Sequence, residues 1–171
     1  MPPSDLERIF AALEASGARY LVVGGVAVVL HGHPRFTADL DLAIALDAPN
    51  VDAVLAALEG LGYRPRAPVP MRAFADPEQR ADWERTKGMT VFSLWSPDLP
   101  GTEVDLFVSE PFRFEAAWPR RLRADLGGLV VSVLSLADLI GMKRRAGRPQ
   151  DLEDVRELEA LARDLGGRDR E

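Results

Sequence analysis

The order of helical and extended patterns in this sequence predicts an α+β (α/β) fold, a mixed sheet flanked by helices with a helical C-terminal part. Three observations carry that expectation. In the first half, short apolar runs bounded by glycine alternate with segments of helical period. Two closely spaced strand patterns follow at 89–95 and 103–108, too close together for a helical crossover. The final third then returns to helical period.

Taken in order, Ser4 and Glu7 have the spacing of a capping box, and Leu6, Ile9, Phe10 and Leu13 repeat at helical period until Gly17. Tyr20 to Val23 reads as a short buried strand that stops at Gly24 and Gly25. A second helix over 26–30 ends near Gly32 and Pro34. Residues 39–46 alternate acid and apolar before running fully apolar, a strand pattern. Asn50 is expected to cap an Ala-rich helix through Leu58, closed by Gly60 and Gly62. The stretch 64–88 is the least regular, although Asp76 and Pro77 mark a capped helix start. After the strands at 89–95 and 103–108, a strand at 129–134 leads into helices at 136–146 and 149–165. The tail from Gly166 to Glu171 is expected to fray.

The chain has 171 residues, a single-domain size, with 47% hydrophobic and 28% charged residues. A globular core follows from that balance. The sheet portion is expected over about 18–134 and the C-terminal helices over about 135–165, within one domain spanning 1–171. No apolar run reaches the length of a membrane span, and no basic, apolar leader opens the sequence, so the cytoplasm is the expected compartment. Cysteine is absent, which removes disulfides and thiolate metal sites. The net charge of −6 argues against broad, sequence-blind binding to nucleic acid but leaves room for one local basic patch.

Chemistry concentrates in three acids. Asp39 and Asp41 stand two apart on a strand and share a face, with Leu40 and Leu42 on the other. Two carboxylates side by side repel unless a cation or proton lies between them. Asp105 sits between Val104 and Leu106 in a second apolar strand, where an acid without a partner is costly to bury. Pairing those strands would gather all three into an oxygen-rich site suited to a hard divalent cation. Gly24 and Gly25, between strand and helix, let the backbone approach a phosphate chain closely. If the segment before Asp39 is extended, Arg35 and Thr37 share its parity, with a surface position the alternative for Arg35.

Lys143 falls on the apolar stripe of its helix, set by Leu136, Leu139 and Ile140, so it either snorkels to water or meets an anion. Arg144, Arg145 and Arg148 add positive charge nearby. Asp151 and Asp154 open the next helix, where acids meet the helix dipole. Capping is the expected role of Asp154. For Asp151, close to Arg148, capping and site chemistry stand level. Glu103 shares the face of Asp105 as an accessory acid or a rim residue. Trp83, Trp95, Phe92 and Phe107 read as packing residues rather than base-stacking platforms. With His31 and His33 the only histidines, a structural zinc site is not expected.

An apolar strand ending in Gly24 and Gly25, Asp-x-Asp at Asp39 and Asp41, and a distant third acid at Asp105 resemble the nucleotidyltransferase superfamily of the DNA polymerase β type. The run Arg35, Thr37, Asp39, Asp41, with Lys143 and the Arg148 to Asp154 segment, is similar to the AbiEii-type toxin nucleotidyltransferases and related bacterial proteins. The resemblance spans residues 21–154. It implies a nucleotidyltransferase-like sheet and transfer of a nucleoside monophosphate from an NTP, such as ATP, to an acceptor hydroxyl. It further implies two Mg²⁺ ions, with Mn²⁺ as the alternative, held by Asp39, Asp41 and Asp105. Catalysis would rest on those acids and Lys143. The nucleotide would meet Gly24, Gly25, Arg35, Thr37, Lys143, Arg148 and Asp151. The implied acceptor is a tRNA, a protein or a small molecule of the aminoglycoside type. A toxin would have a cognate antitoxin partner, and a non-catalytic nucleotide-binding module is the remaining alternative. Many members carry serine where this chain has Gly25, and the chain is short for an AbiEii-type protein.

Overall fold

Seven strands form one sheet in the computed structural model, which describes residues 3–168. Helix α1 (Pro3–Ala15) leads to β1 (Tyr20–Val23), α2 (Gly24–Leu30), β2 (Asp39–Ile44) and α3 (Ala48–Gly60). A two-residue β3 (Arg64–Pro65), a 3-10 turn (Met71–Ala75) and α4 (Pro77–Lys87) precede the hairpin of β4 (Val91–Trp95) and β5 (Glu103–Phe107). Short helix α5 (Phe114–Ala117), β6 (Leu122–Asp125) and β7 (Val130–Val133) follow, then α6 (Leu136–Ala146) and α7 (Pro149–Arg168).

The strand order is β3-β4-β5-β2-β1-β7-β6. Strand β2 runs parallel to β5 and β1 parallel to β7, while the other neighbours are antiparallel. The sheet is therefore mixed, as the element order predicts. Its two faces differ because strand side chains alternate. Leu40, Leu42, Phe92, Leu94, Val104 and Leu106 point to one face and are fully buried. Phe74 and Trp83, from the 3-10 turn and α4, pack on Phe92 of that face with ring centroids 5.3 and 5.2 Å away. Asp39, Asp41, Glu103 and Asp105 point to the other. Apolar residues of α6 cover that face only around Phe107, where Leu139 and Met142 line a small gap beside it.

Several boundaries differ from expectation for local reasons. Helix α1 already includes Ser4, so the expected capping box does not begin it, and the Ser4 side chain lies outside the described residues. Asp47, not Asn50, caps α3, accepting from the Asn50 amide. Asn50 is instead a buried bracket. Its side-chain carbonyl accepts from Arg19 N, and its amide donates to the carbonyls of Arg19 and Ala45. Strand β6 and helix α5 escape the sequence pattern because both are short and β6 is largely exposed, so neither shows a buried period. Helix α7 continues through Arg168, past the expected end at Leu165; the remainder of the expected tail, 169–171, lies outside the described residues. Among the described residues no helix is long and apolar enough to cross a membrane.

Asn50→Ala would take the side-chain partner from Arg19 N and Ala45 O at the root of β1, while Arg19 O keeps the Ala45 amide. The expected loss is about 2–3 kcal/mol of stability, read by urea denaturation with an unchanged slope.

Candidate functional site

Strand register builds the acidic side of the site. Asp41 pairs with Asp105 and Asp39 with Glu103 across the parallel β2–β5 ladder, while Val23, at the end of β1, lies opposite Asp41. The Gly24 backbone therefore meets the Asp41 side chain. Gly24 has a φ of 63°, and a Cβ there would stand 2.0 Å from Asp41 Oδ2. A side chain at Gly25 would stand 2.6 Å from Thr37 Oγ1. Both glycines are thus sterically required by residues of the site, a stronger reason than turn shape.

The cationic side comes from the helices. Lys143, on the inner face of α6, is only 5% exposed. Its Nζ lies 2.7 Å from Asp154 Oδ2 and 3.3 Å from Asp151 Oδ1. Arg35 also pairs with Asp154, and Arg148 Nε donates to Asp151 Oδ2 at 2.7 Å. Asp151 and Asp154, three apart in the first turns of α7, are 3% and 4% exposed. Asp154 is therefore not a mere capping residue, as sequence reasoning held; it joins Lys143 to Arg35. The signal that would have found it is its place with Asp151, Val155 and Leu158 on the buried stripe of α7. Arg144 turns away to pair with Glu159.

Acids and cations face each other across a cavity of about 510 Å³, within the size range of small-ligand sites. Gly24, Gly25, Arg35, Thr37, Asp39, Asp41, Asp105, Lys143, Arg148 and Asp151 all line it, with Pro149 and Gln150. The segment carrying Arg35 and Thr37 is not a strand, yet both side chains reach the cavity as their parity suggests. A smaller recess of about 70 Å³ opens beside it, where Val23, Phe107, Leu139, Met142 and Ala146 meet Asp41, Lys143, Arg148 and Asp151.

Electrostatics mark the acids as under-compensated. Burial, and then the negative fields of Asp105 and Asp39, push the Asp41 carboxyl up to about 7. Burial also raises Asp105, with Asp39 and Glu103 adding to it, against a hydrogen bond from the Ser93 hydroxyl. Asp151 goes the other way: burial alone would raise it, but the Arg148 hydrogen bond and the Lys143 and Arg148 charges hold it below the usual carboxylate range. Among the described residues no three Asp, Glu or His side chains converge on one point. The carboxylates of Asp39, Asp41 and Asp105 are oxygen donors of the kind a hard divalent cation takes, and a cation beside them would relieve the repulsion that, after burial, raises Asp41.

A mixed sheet with acids at the strand ends beside a glycine turn, closed by two C-terminal helices, defines the nucleotidyltransferase fold. Solved structures agree. The lincosamide antibiotic adenylyltransferase LnuA, lincomycin-bound, is 16% identical, with 94% of this chain and 98% of that chain covered at a TM-score of 0.62. ANT(2")-Ia in complex with adenylyl-2"-tobramycin is 17% identical, with 95% of each chain covered and a TM-score of 0.58. An antigenic nucleotidyltransferase-like protein from Paracoccidioides brasiliensis is 19% identical, covering 92% and 74% at a TM-score of 0.51. No protein of curated function matches the chain by sequence. Residues 4–165 match the family described as "Nucleotidyltransferase of unknown function (DUF6036)", and the chain belongs to that family. It is a nucleotidyltransferase.

Asp154→Ala would remove the carboxylate that Arg35 and Lys143 share and leave Lys143 with Asp151 alone. A loss of about 3–5 kcal/mol is expected by denaturant unfolding, with Asp154→Asn losing less. Asp41 has the opposite sign. Its folded value near 7 lies above the ordinary 3.8, so the folded state retains a proton that the unfolded chain gives up. Stability is then fully present below about pH 4 and is lost as pH rises through 7. In EDTA, Asp41→Asn should melt higher than wild type at pH 8, by a few degrees, and the gap should close at pH 4.

Proposed function

We propose that the protein transfers a nucleoside monophosphate from an NTP to an acceptor hydroxyl, with a divalent cation, Mg²⁺ or Mn²⁺, held by Asp39, Asp41 and Asp105. One observation carries the reading: the Asp41–Asp105 pair faces Arg35, Lys143 and Arg148 across a single cavity. A triphosphate with its cations complements that arrangement, because the cations meet the acids while the phosphate oxygens meet guanidinium and ammonium groups. Phe107, Leu139 and Met142 in the recess beside the cavity add an apolar wall for the less polar part of the nucleotide.

Each side chain then has a task. Gly24 and Gly25 let the backbone come close to the phosphates, and the Thr37 hydroxyl, lying over Gly25, offers a donor to them. Lys143 and Arg148 take the charge of the departing pyrophosphate, and Asp151 and Asp154 orient them. Asp105, its carboxyl raised by burial, would receive the proton of the acceptor hydroxyl. The acceptor oxygen bonds to the α-phosphorus, the bond from that phosphorus to the bridging oxygen breaks, and pyrophosphate leaves. A bound divalent cation would supply charge neutralisation at the reacting phosphate oxygens.

For the acceptor, the similarity to AbiEii-type toxins points to tRNA or a protein, in a cell that also makes an antitoxin. Growth arrest on expression is the corresponding readout. A small-molecule acceptor is the second reading, favoured by the likeness to LnuA and ANT(2")-Ia, whose structures hold lincomycin and adenylyl-tobramycin.

Purified protein incubated with each labelled NTP, Mg²⁺ and cell lysate is expected to label one class of acceptor. Asp41→Asn and Asp105→Asn should fold, as judged by circular dichroism, and lose that transfer by at least about a thousandfold. Unchanged turnover in either variant would overturn the assignment of the acids.

A further inference from the structure

A second cavity, of about 160 Å³, opens at the β7–β6 edge of the sheet and shares no lining residue with the one at Asp41 and Asp105. Strand register explains its polar wall. Arg123 on β6 lies opposite Ser132 on β7, so the two side chains share a face. Arg121, two residues before Arg123, reaches the same point, and its Nε donates to Ser132 Oγ at 3.2 Å. Its guanidinium carbon stands 3.8 Å from the Trp118 ring centroid, and its Nη1 donates to the Trp118 carbonyl at 2.8 Å. Arg121 is therefore fixed before any ligand arrives, while its Nη2 makes no hydrogen bond among the described residues. Arg19, on the same cavity, is paired with Asp47 and Glu115. Neither Arg121 nor Arg123 has a carboxylate partner among the described residues. Glu14, the carboxylate of this wall, accepts from the Tyr20 hydroxyl at 2.7 Å. Ser132 is buried and serves Arg121 as an acceptor, which leaves its own proton free to donate.

We propose that this cavity is an anion site, separate from the nucleotide cavity, and that it takes a phosphate group. Two guanidiniums without carboxylates and one hydroxyl open on it, three donors for one oxyanion. A phosphate group has at least three terminal oxygens, one for each donor, whereas a carboxylate has two. Guanidinium-to-phosphate bonds are charge-assisted and directional, and the planar fork of Arg121 is already oriented by the Trp118 ring. Less side-chain freedom is then lost on binding than a mobile arginine would lose. The cavity is smaller than the pockets that hold whole small-molecule ligands, so a charged group enters it and an NTP does not. Free phosphate and the phosphate end of a monoester share this chemistry.

The test is a titration of the full chain with inorganic phosphate, followed by proton–nitrogen NMR at constant ionic strength against a chloride control. The Ser132 and Arg123 amides and the Trp118 indole are expected to shift together, along one saturating curve. Arg121→Gln and Arg123→Gln are each expected to weaken that binding about tenfold. Arg163→Gln, which removes the same charge from α7, should leave it unchanged. Arg123 is exposed, so its variant stays informative if Arg121→Gln disturbs the packing of Trp118. A parallel titration with ribose 5-phosphate separates the two sources. Tighter binding than inorganic phosphate identifies a monoester, equal or weaker binding identifies the free ion, and both bear out the site. Shifts confined to the Gly24 and Gly25 amides would overturn it and spare the nucleotide cavity. Equal affinity of Arg123→Gln and wild type would overturn it too, as would succinate binding as tightly as phosphate or chloride producing the same shifts.

Discussion

Two aspartates in the first turns of α7 hold the cationic wall of the cavity in place. Asp151 and Asp154 reach back to Lys143 on α6, sideways to Arg148, and across to Arg35 on the segment before β2. A buried lysine without such partners would shed its proton or drag water inward. Here two carboxylates hold the buried Lys143 ammonium on α6. The same pair ties three separate pieces of chain together, so the helical C-terminal third is not a lid added to a finished sheet. It supplies half of the site.

The other half is frustrated by design of the sheet. Parallel pairing of β2 with β5 puts Asp41 beside Asp105, and burial keeps water from screening them. Counting Asp151 and Asp154, five carboxylates share the cavity region with three cations. Full ionisation would leave an excess of two negative charges, and burial first, then the fields of Asp105 and Asp39, push the Asp41 carboxyl up to about 7. On the proposed function, a divalent cation would remove the same excess without a proton, and a triphosphate arriving with it would meet the cationic wall. Metal and nucleotide would then be coupled, each lowering the cost of bringing in the other.

Much of this was legible in the sequence where periodicity is strong. The two-residue spacing of Asp39 and Asp41 and the apolar neighbours of Asp105 define their faces, and only one pairing was needed to gather them. Lys143 was legible from its place on the stripe of α6. Asp154 was not, because an acid near a helix start has a sufficient local explanation in the dipole, and only the fold shows that its turn faces inward. Asn50 misled for a similar reason: its side chain suits a cap, but Asp47, three residues earlier, takes that role and frees Asn50 for the backbone of β1. Strand β6 is invisible to pattern because an exposed edge strand needs no buried period.

The Gly24–Gly25 turn shows how a local motif can depend on distant residues. Read alone, Gly25 forfeits the hydroxyl that serine provides in many nucleotidyltransferases. In the fold, Thr37 Oγ1 already occupies the space that a side chain at Gly25 would need, 2.6 Å from its Cβ position. The hydroxyl is therefore present at that point of the cavity, carried by the segment before β2 instead of the turn itself. Because the two cannot coexist, a side chain at Gly25 requires Thr37 to move or shrink. Gly24 is bound in the same way to Asp41. The turn has no side chains because the carboxylate and hydroxyl opposite it take up their volume.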